Sequence, residues 1–174
     1  MTRQIIVHGL DRILEKLDRD MIAEPLKDFF TGIGITIQKP ARENAPVDTG
    51  HLRNAIQYEV DKSEPSLWAR VGLLDASPGS PLWLKGRAME YGTGKQGDSE
   101  VGHKSGHWPP GPALDVWARR HGMQSGAQVA RAIGKRGGLK PRKWLRGAFE
   151  SSKGELGRLL NKLGNDILAR WERG

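Results

Sequence analysis

The sequence predicts an α+β fold in which helices pack on a small antiparallel β-sheet, with a long amphipathic helix at the C-terminus. Three observations carry this. Apolar residues recur at helical spacing toward both ends of the chain, and two short alternating runs lie close together between residues 56 and 73. No run approaches the roughly 18 apolar residues needed to span a bilayer, so no membrane is expected. At 174 residues the chain suits a single domain, 1–174, able to bury a core.

Taken in order, Ile5 to His8 reads as a short extended lead. Leu10, Ile13, Leu14, Leu17 and Met21 mark a first helical stripe, with Asp11, Arg12, Glu15 and Lys16 facing away. A second stripe follows at Ile22, Leu26, Phe29, Ile33 and Ile37. Pro25 fits its first turn, where a missing N–H is harmless. Gly32 and Gly34 each weaken a helix by about 1 kcal/mol, and leave room for another backbone to pack closely. Pro40 is expected to bend or end the helix.

A junction follows, reading Ala-Arg-Glu-Asn-Ala-Pro-Val-Asp-Thr-Gly-His-Leu-Arg from Ala41 to Arg53. Pro46 pushes Ala45 toward extended backbone. Asp48 or Thr49 can then cap a new helix that begins near Gly50 and contains Leu52 and Arg53. Next, Ile56, Tyr58 and Val60 alternate with Gln57, Glu59 and Asp61. Leu67, Ala69, Val71 and Leu73 alternate with Trp68, Arg70 and Gly72, and Pro65 lies in the turn between, which predicts a hairpin. Ala88 to Tyr91 could add a third strand before Gly92-Thr93-Gly94.

Residues 94–112 have no periodicity, and a loop of that length is expected to be flexible and functional. Ala113–His121 and Ala127–Lys135 read as helices stopped by Gly122 and by Gly137-Gly138, so 113–137 forms a helical insertion. Trp144, Leu145, Ala148 and Phe149 then lead into Leu156, Leu159, Leu160, Leu163, Ile167 and Trp171, the stripe of the long helix.

Composition narrows the chemistry. The chain has no cysteine, which removes disulfides, thiolate metal ligands and cysteine nucleophiles and suits a reducing cytosol. The first residues lack the apolar stretch of a secretory signal. The net charge is +8, and the segment from Arg131 onward accounts for all of it. A localised positive field attracts polyanions, nucleic acid first among them, although a solvated face or an acidic protein neighbour would use the same charges.

Asp48-Thr49-Gly50 is the signature of aspartic proteases, which need a second aspartate on a matching strand loop. Here the flanks read as helical and polar, and no second copy exists, so helix capping explains the residues better. Gly92-Thr93-Gly94-Lys95-Gln96 fails the phosphate-loop pattern, because Met89 stands where its first glycine belongs and Gln96 where its hydroxyl belongs. His103 and His107 are four apart, with His121 further on, but without a helix, a partnering carboxylate or any cysteine they do not point to a zinc site. No catalytic residue, cofactor, metal or small-molecule substrate is therefore expected. Six tryptophans are many for this length, and Trp108 and Trp171 are placed to meet a partner.

Three stretches in order resemble the head–tail joining, or tail-completion, family of tailed-bacteriophage neck proteins. The junction Ala41–Arg53, with Ala45, Pro46, Val47, Asp48, Thr49, Gly50, Leu52 and Arg53, is similar to that family's motif after its leading helices. Glu90-Tyr91-Gly92-Thr93 matches a second motif. The third is Lys140-Pro141-Arg142-Lys143-Trp144-Leu145-Arg146-Gly147-Ala148-Phe149, with Lys143-Trp144 where Pro-Phe is usual. The resemblance implies a structural virion protein, assembled in the host cytoplasm, that completes the tail and joins it to the portal-bearing head. It implies a ring of identical subunits around the DNA channel, hexameric by analogy with six-fold tails. Its partners would be itself, other neck and tail proteins and the genomic DNA. Lys140, Arg142, Lys143, Trp144, Arg146, Trp108 and Trp171 are then the residues expected to face a neighbour or DNA. The alternative is a basic nucleic-acid-binding protein acting off the particle.

Overall fold

The computed structural model describes residues 19–61, 68–98 and 106–173. Its first elements are helix α1 (Arg19–Asn44), a single turn α2 (His51–Asn54), and strands β1 (Gln57–Asp61) and β2 (Trp68–Gly72). Helix α3 (Pro81–Tyr91) follows, then a 3₁₀ turn at Gly94–Gln96, helices α4 (Gly111–Arg120) and α5 (Gly126–Lys135), and the long α6 (Trp144–Trp171). The fold is α+β and mostly helical, as the periodicities imply. No described helix is long and apolar enough to cross a membrane. The lead at 5–8, the apolar stripe from Leu10 to Leu17, the turn at 62–66 and the loop middle at 99–105 lie outside the described residues.

Helices α1 and α6 run antiparallel. Leu159 packs over Gly32, and seven residues earlier on α6 the Ser152 hydroxyl donates to the Thr36 carbonyl at 3.1 Å. Ile37, Ala41 and Ala45 of α1 meet Trp144 and Ala148 of α6 in a core completed by Ile56. The small residues let the helix backbones approach, while Trp144, Ile37 and Ile56 are the large side chains of this core. Helix α1 continues through Pro40 to Asn44, so the proline does not end it. The carbonyl that Pro40 leaves without a helical donor is that of Thr36, and Ser152 supplies the missing bond.

The hairpin has the predicted alternation, with Glu59 opposite Arg70 and Tyr58 opposite Val71. Glu59 and Arg70 form an exposed ion pair at 3.5 Å. Gly34 is the point at which the sheet meets α1. A Cβ there would strike the Tyr58 ring, so the glycine admits a side chain where a backbone was expected. Gln38 and Arg42 side chains both donate to the Ile56 carbonyl at 3.0 Å and fix the start of β1 on the helix.

Two expectations fail here. Ala88–Tyr91 is the last part of α3, not a third strand. Ser80 caps that helix, its hydroxyl accepting from Trp83 N at 3.3 Å, and Pro81 opens the first turn. Four residues, Ala-Met-Glu-Tyr, are too few to distinguish strand from helix, and the cap decides. The expected loop at 94–112 is also not structureless at its ends, since it begins with a 3₁₀ turn and gives way to α4 at Gly111.

Candidate functional site

The three stretches singled out in the sequence meet around the N-terminus of α6. Glu90, the penultimate residue of α3, is buried, and its two carboxylate oxygens accept from the backbone N–H groups of Leu145 (2.7 Å) and Arg146 (3.0 Å). These are two of the donors that a helix start leaves without intrahelical partners, and a carboxylate suits the positive end of the helix dipole. In return, Arg142 N donates to the Met89 carbonyl at 2.7 Å and Lys143 N to the Glu90 carbonyl at 3.3 Å. The end of α3 and the start of α6 thus cap each other.

The next residues continue the join. Thr93 N donates to the Leu139 carbonyl at 2.9 Å, and its hydroxyl accepts from Leu139 N at 3.0 Å. Gly92 turns the chain with φ 71°, and a Cβ there would lie 2.5 Å from the Leu139 carbonyl oxygen. No other residue fits both the conformation and the space. The Trp144 indole donates to the Gly86 carbonyl at 3.0 Å and packs beside Ala41 and Ala45. The Glu-Tyr-Gly-Thr step, the Lys140–Phe149 stretch and the junction therefore form one packed unit.

Several candidate residues sit differently from expectation. Trp144 is 3% exposed, so it belongs to the core and faces neither partner nor DNA. Arg146 is half-buried and pairs with Asp98 at 3.0 Å, with Lys143 reaching the same carboxylate at 3.9 Å. Asp48 and Thr49 do not cap α2. Its N-cap is Gly50 in left-handed backbone with no side-chain cap bond. Asp48 instead pairs with Arg120 of α4 at 3.2 Å, tying the junction to the helical insertion. Of the remaining junction residues, Ala45 and Leu52 are buried and Pro46 half-buried, while Val47, Thr49 and Arg53 are exposed.

Lys143 carries the only positive φ among the described non-glycine residues, at 51°. Proline is confined near −65°. Position 143 therefore holds a backbone conformation that proline cannot adopt. Lys140, Arg142 and Lys143 are exposed. Trp171 is exposed at the end of α6, and Trp108 is 61% exposed. Trp108 lies on Gly134 of α5, where a Cβ would strike its ring.

Beside this unit an open groove of about 350 Å³ runs between α1, β2 and α6. Ile33, Ala69, Val71 and Phe149 line it, with Tyr91 and Arg146 also in its walls. Among the described residues no group of three or more His, Asp or Glu side chains is placed to hold a metal ion.

The sequence reading missed the roles of Glu90, Asp98 and Ser152, which depend on contacts across 48 to 116 residues of chain. It also placed the charge too broadly. Between Glu150 and Glu172 the four acids Glu150, Glu155, Asp166 and Glu172 balance Lys153, Arg158, Lys162 and Arg170. Most of α6 is therefore neutral, and the positive excess lies on α5 and the connector that follows it. A signal for this was present, because no Asp or Glu occurs between Asp115 and Glu150. Compared with protein-family models, curated proteins and solved structures, the chain matches none.

Proposed function

We propose that this chain is a structural protein of the neck of a tailed bacteriophage. In that reading it completes the tail and joins it to the portal-bearing head as a ring of identical subunits, six by analogy with six-fold tails, around the DNA channel. The observation that carries the reading is the convergence of three motifs, separated by as much as a hundred residues, on one unit. Glu90, Thr93 and Trp144 there spend their polar groups on backbone partners. Such a unit holds helices at fixed angles, which suits a subunit that must repeat around an axis. The exposed Phe149 at the groove offers an apolar surface to a neighbouring subunit.

The alternative is a basic nucleic-acid-binding protein acting off the particle, favoured by the concentration of charge on α5 and the connector. Light scattering of the purified chain across concentration separates the two. A discrete ring mass supports the neck reading. A monomer at every concentration, with DNA affinity that falls steeply with salt, overturns it in favour of the alternative.

A further inference from the structure

We infer that one face, free of unengaged acids among the described residues and built from the exposed side of α5, the connector after it and the Gly94–Gln96 turn, is a phosphate-contacting surface for duplex DNA. Between Asp115 and Glu150 the chain carries nine lysines and arginines and no acid. The structure sorts these nine. Arg120 is paired with Asp48, and Lys143 and Arg146 with Asp98. Arg119 turns its Nε to the Asp115 carbonyl. Arg131, Lys135, Arg136, Lys140 and Arg142 remain, all exposed, and none has a carboxylate partner among the described residues.

Two hydrogen bonds bring the Gly94–Gln96 turn to the end of α5, beside Arg136. Lys95 N donates to the Gly137 carbonyl at 2.7 Å, and the Gln96 side chain donates to the Arg136 carbonyl at 3.0 Å. The Lys95 stem lies against Gly137, which adds a sixth exposed cation beside Arg136. Arg131 and Lys135 are one helical turn apart and share a face of α5. The nearby acids Asp98 and Glu90 are engaged with Arg146, Lys143 and the α6 N-terminus, so they do not neutralise this face.

The composition of the face favours nucleic acid over an acidic protein. Protein interfaces are depleted in lysine at their centres and need apolar anchors. Here lysines make up half of the cations, and their exposed neighbours on α5 are Ala127, Gln128 and Ala132. Cations on a surface without such anchors suit phosphates, which supply affinity without reading sequence. The inference holds whether the DNA is met inside a ring or off the particle.

The test titrates the full chain against a labelled mixed-sequence duplex of about 30 base pairs, by fluorescence anisotropy from about 50 to 200 mM salt. Five phosphate contacts predict a slope of about −4.5 for log affinity against log salt. One variant carries Arg131→Ala, Lys135→Ala, Arg136→Ala, Lys140→Ala and Arg142→Ala. A control removes the same charge from α6 and the residues after it through Lys153→Ala, Arg158→Ala, Lys162→Ala, Arg170→Ala and Arg173→Ala. Circular dichroism establishes that both are folded.

The expected result is a loss of at least about tenfold and a flattened slope for the first variant, with the control within about twofold of the parent. Equal losses in both variants, or no loss in the first, overturn the surface. Displacement of the duplex by polyglutamate at equal charge also overturns it, in favour of an acidic polypeptide. Oligomeric mass, measured on the same samples, reports on the neck reading separately. DNA binding that depends on these five residues without ring formation supports the surface and counts against the ring.

Discussion

Ser152 supplies the hydrogen bond that Pro40 removes. Proline has no N–H to offer the carbonyl four residues before it, and the Ser152 hydroxyl donates to that carbonyl, on Thr36, at 3.1 Å from the facing helix. The bond is made where α1 and α6 lie against each other, and Ser152 is 5% exposed. A proline that should interrupt a helix is thereby accommodated within it.

Ser152→Ala is expected to cost about 1–2 kcal/mol, because it leaves a carbonyl at the helix interface without a partner. Pro40→Ala restores the helical donor to Thr36 and should recover most of that loss. Urea denaturation of the two single variants and the double variant gives the coupling, expected to exceed about 0.5 kcal/mol. Additive effects would mean that the serine does not stand in for the proline's missing N–H.

Glu90→Ala removes both side-chain acceptors from the start of α6 and leaves a cavity between helices. The expected loss is about 2–4 kcal/mol, and Glu90→Gln, which keeps one acceptor oxygen, should lose roughly half as much. Hydrogen exchange at the Leu145 and Arg146 amides should accelerate before the rest of the helix does. Unchanged protection at those two amides would contradict the capping role.

Lys143 holds left-handed backbone, which costs an L-residue about 1–2 kcal/mol. Lys143→Gly should therefore stabilise the protein by about 0.5–1 kcal/mol, the remainder being lost to glycine's greater freedom when unfolded. Lys143→Pro should cost about 3 kcal/mol or more, since it forces φ to the wrong sign and removes the N–H given to Glu90. Thermal denaturation of the pair measures both directions, and a stable proline variant would show that the turn can be rebuilt.

Asp48 lies in a protease-like triplet but is used as a tie to Arg120. The Arg120 side chain is about half exposed, so Asp48→Asn should change stability by less than about 1 kcal/mol. Peptide hydrolysis assays at acidic and neutral pH should find the same absence of activity in the parent and the variant. Cleavage by the parent that Asp48→Asn abolishes would reopen the enzymatic reading.

The periodicities by themselves determined the α+β class, the hairpin, the two helices of the insertion and the long last helix, because burial on one face of a regular element leaves a local repeat. They also marked the junction, the Glu-Tyr-Gly-Thr step and the Lys140–Phe149 stretch as special. Only the tertiary structure decided what those residues do. Glu90 is a cap because α6 begins beside it, Trp144 is core because Gly86 and Ala41 lie within reach, and Arg146 is engaged because Asp98 returns to it. Pro40 stays helical because a serine 112 positions later meets its orphaned carbonyl. Charge divides in the same way. The sequence holds the number of cations, but which of them face solvent without a partner depends on where the few acids fold, and that is a property of contacts between distant segments.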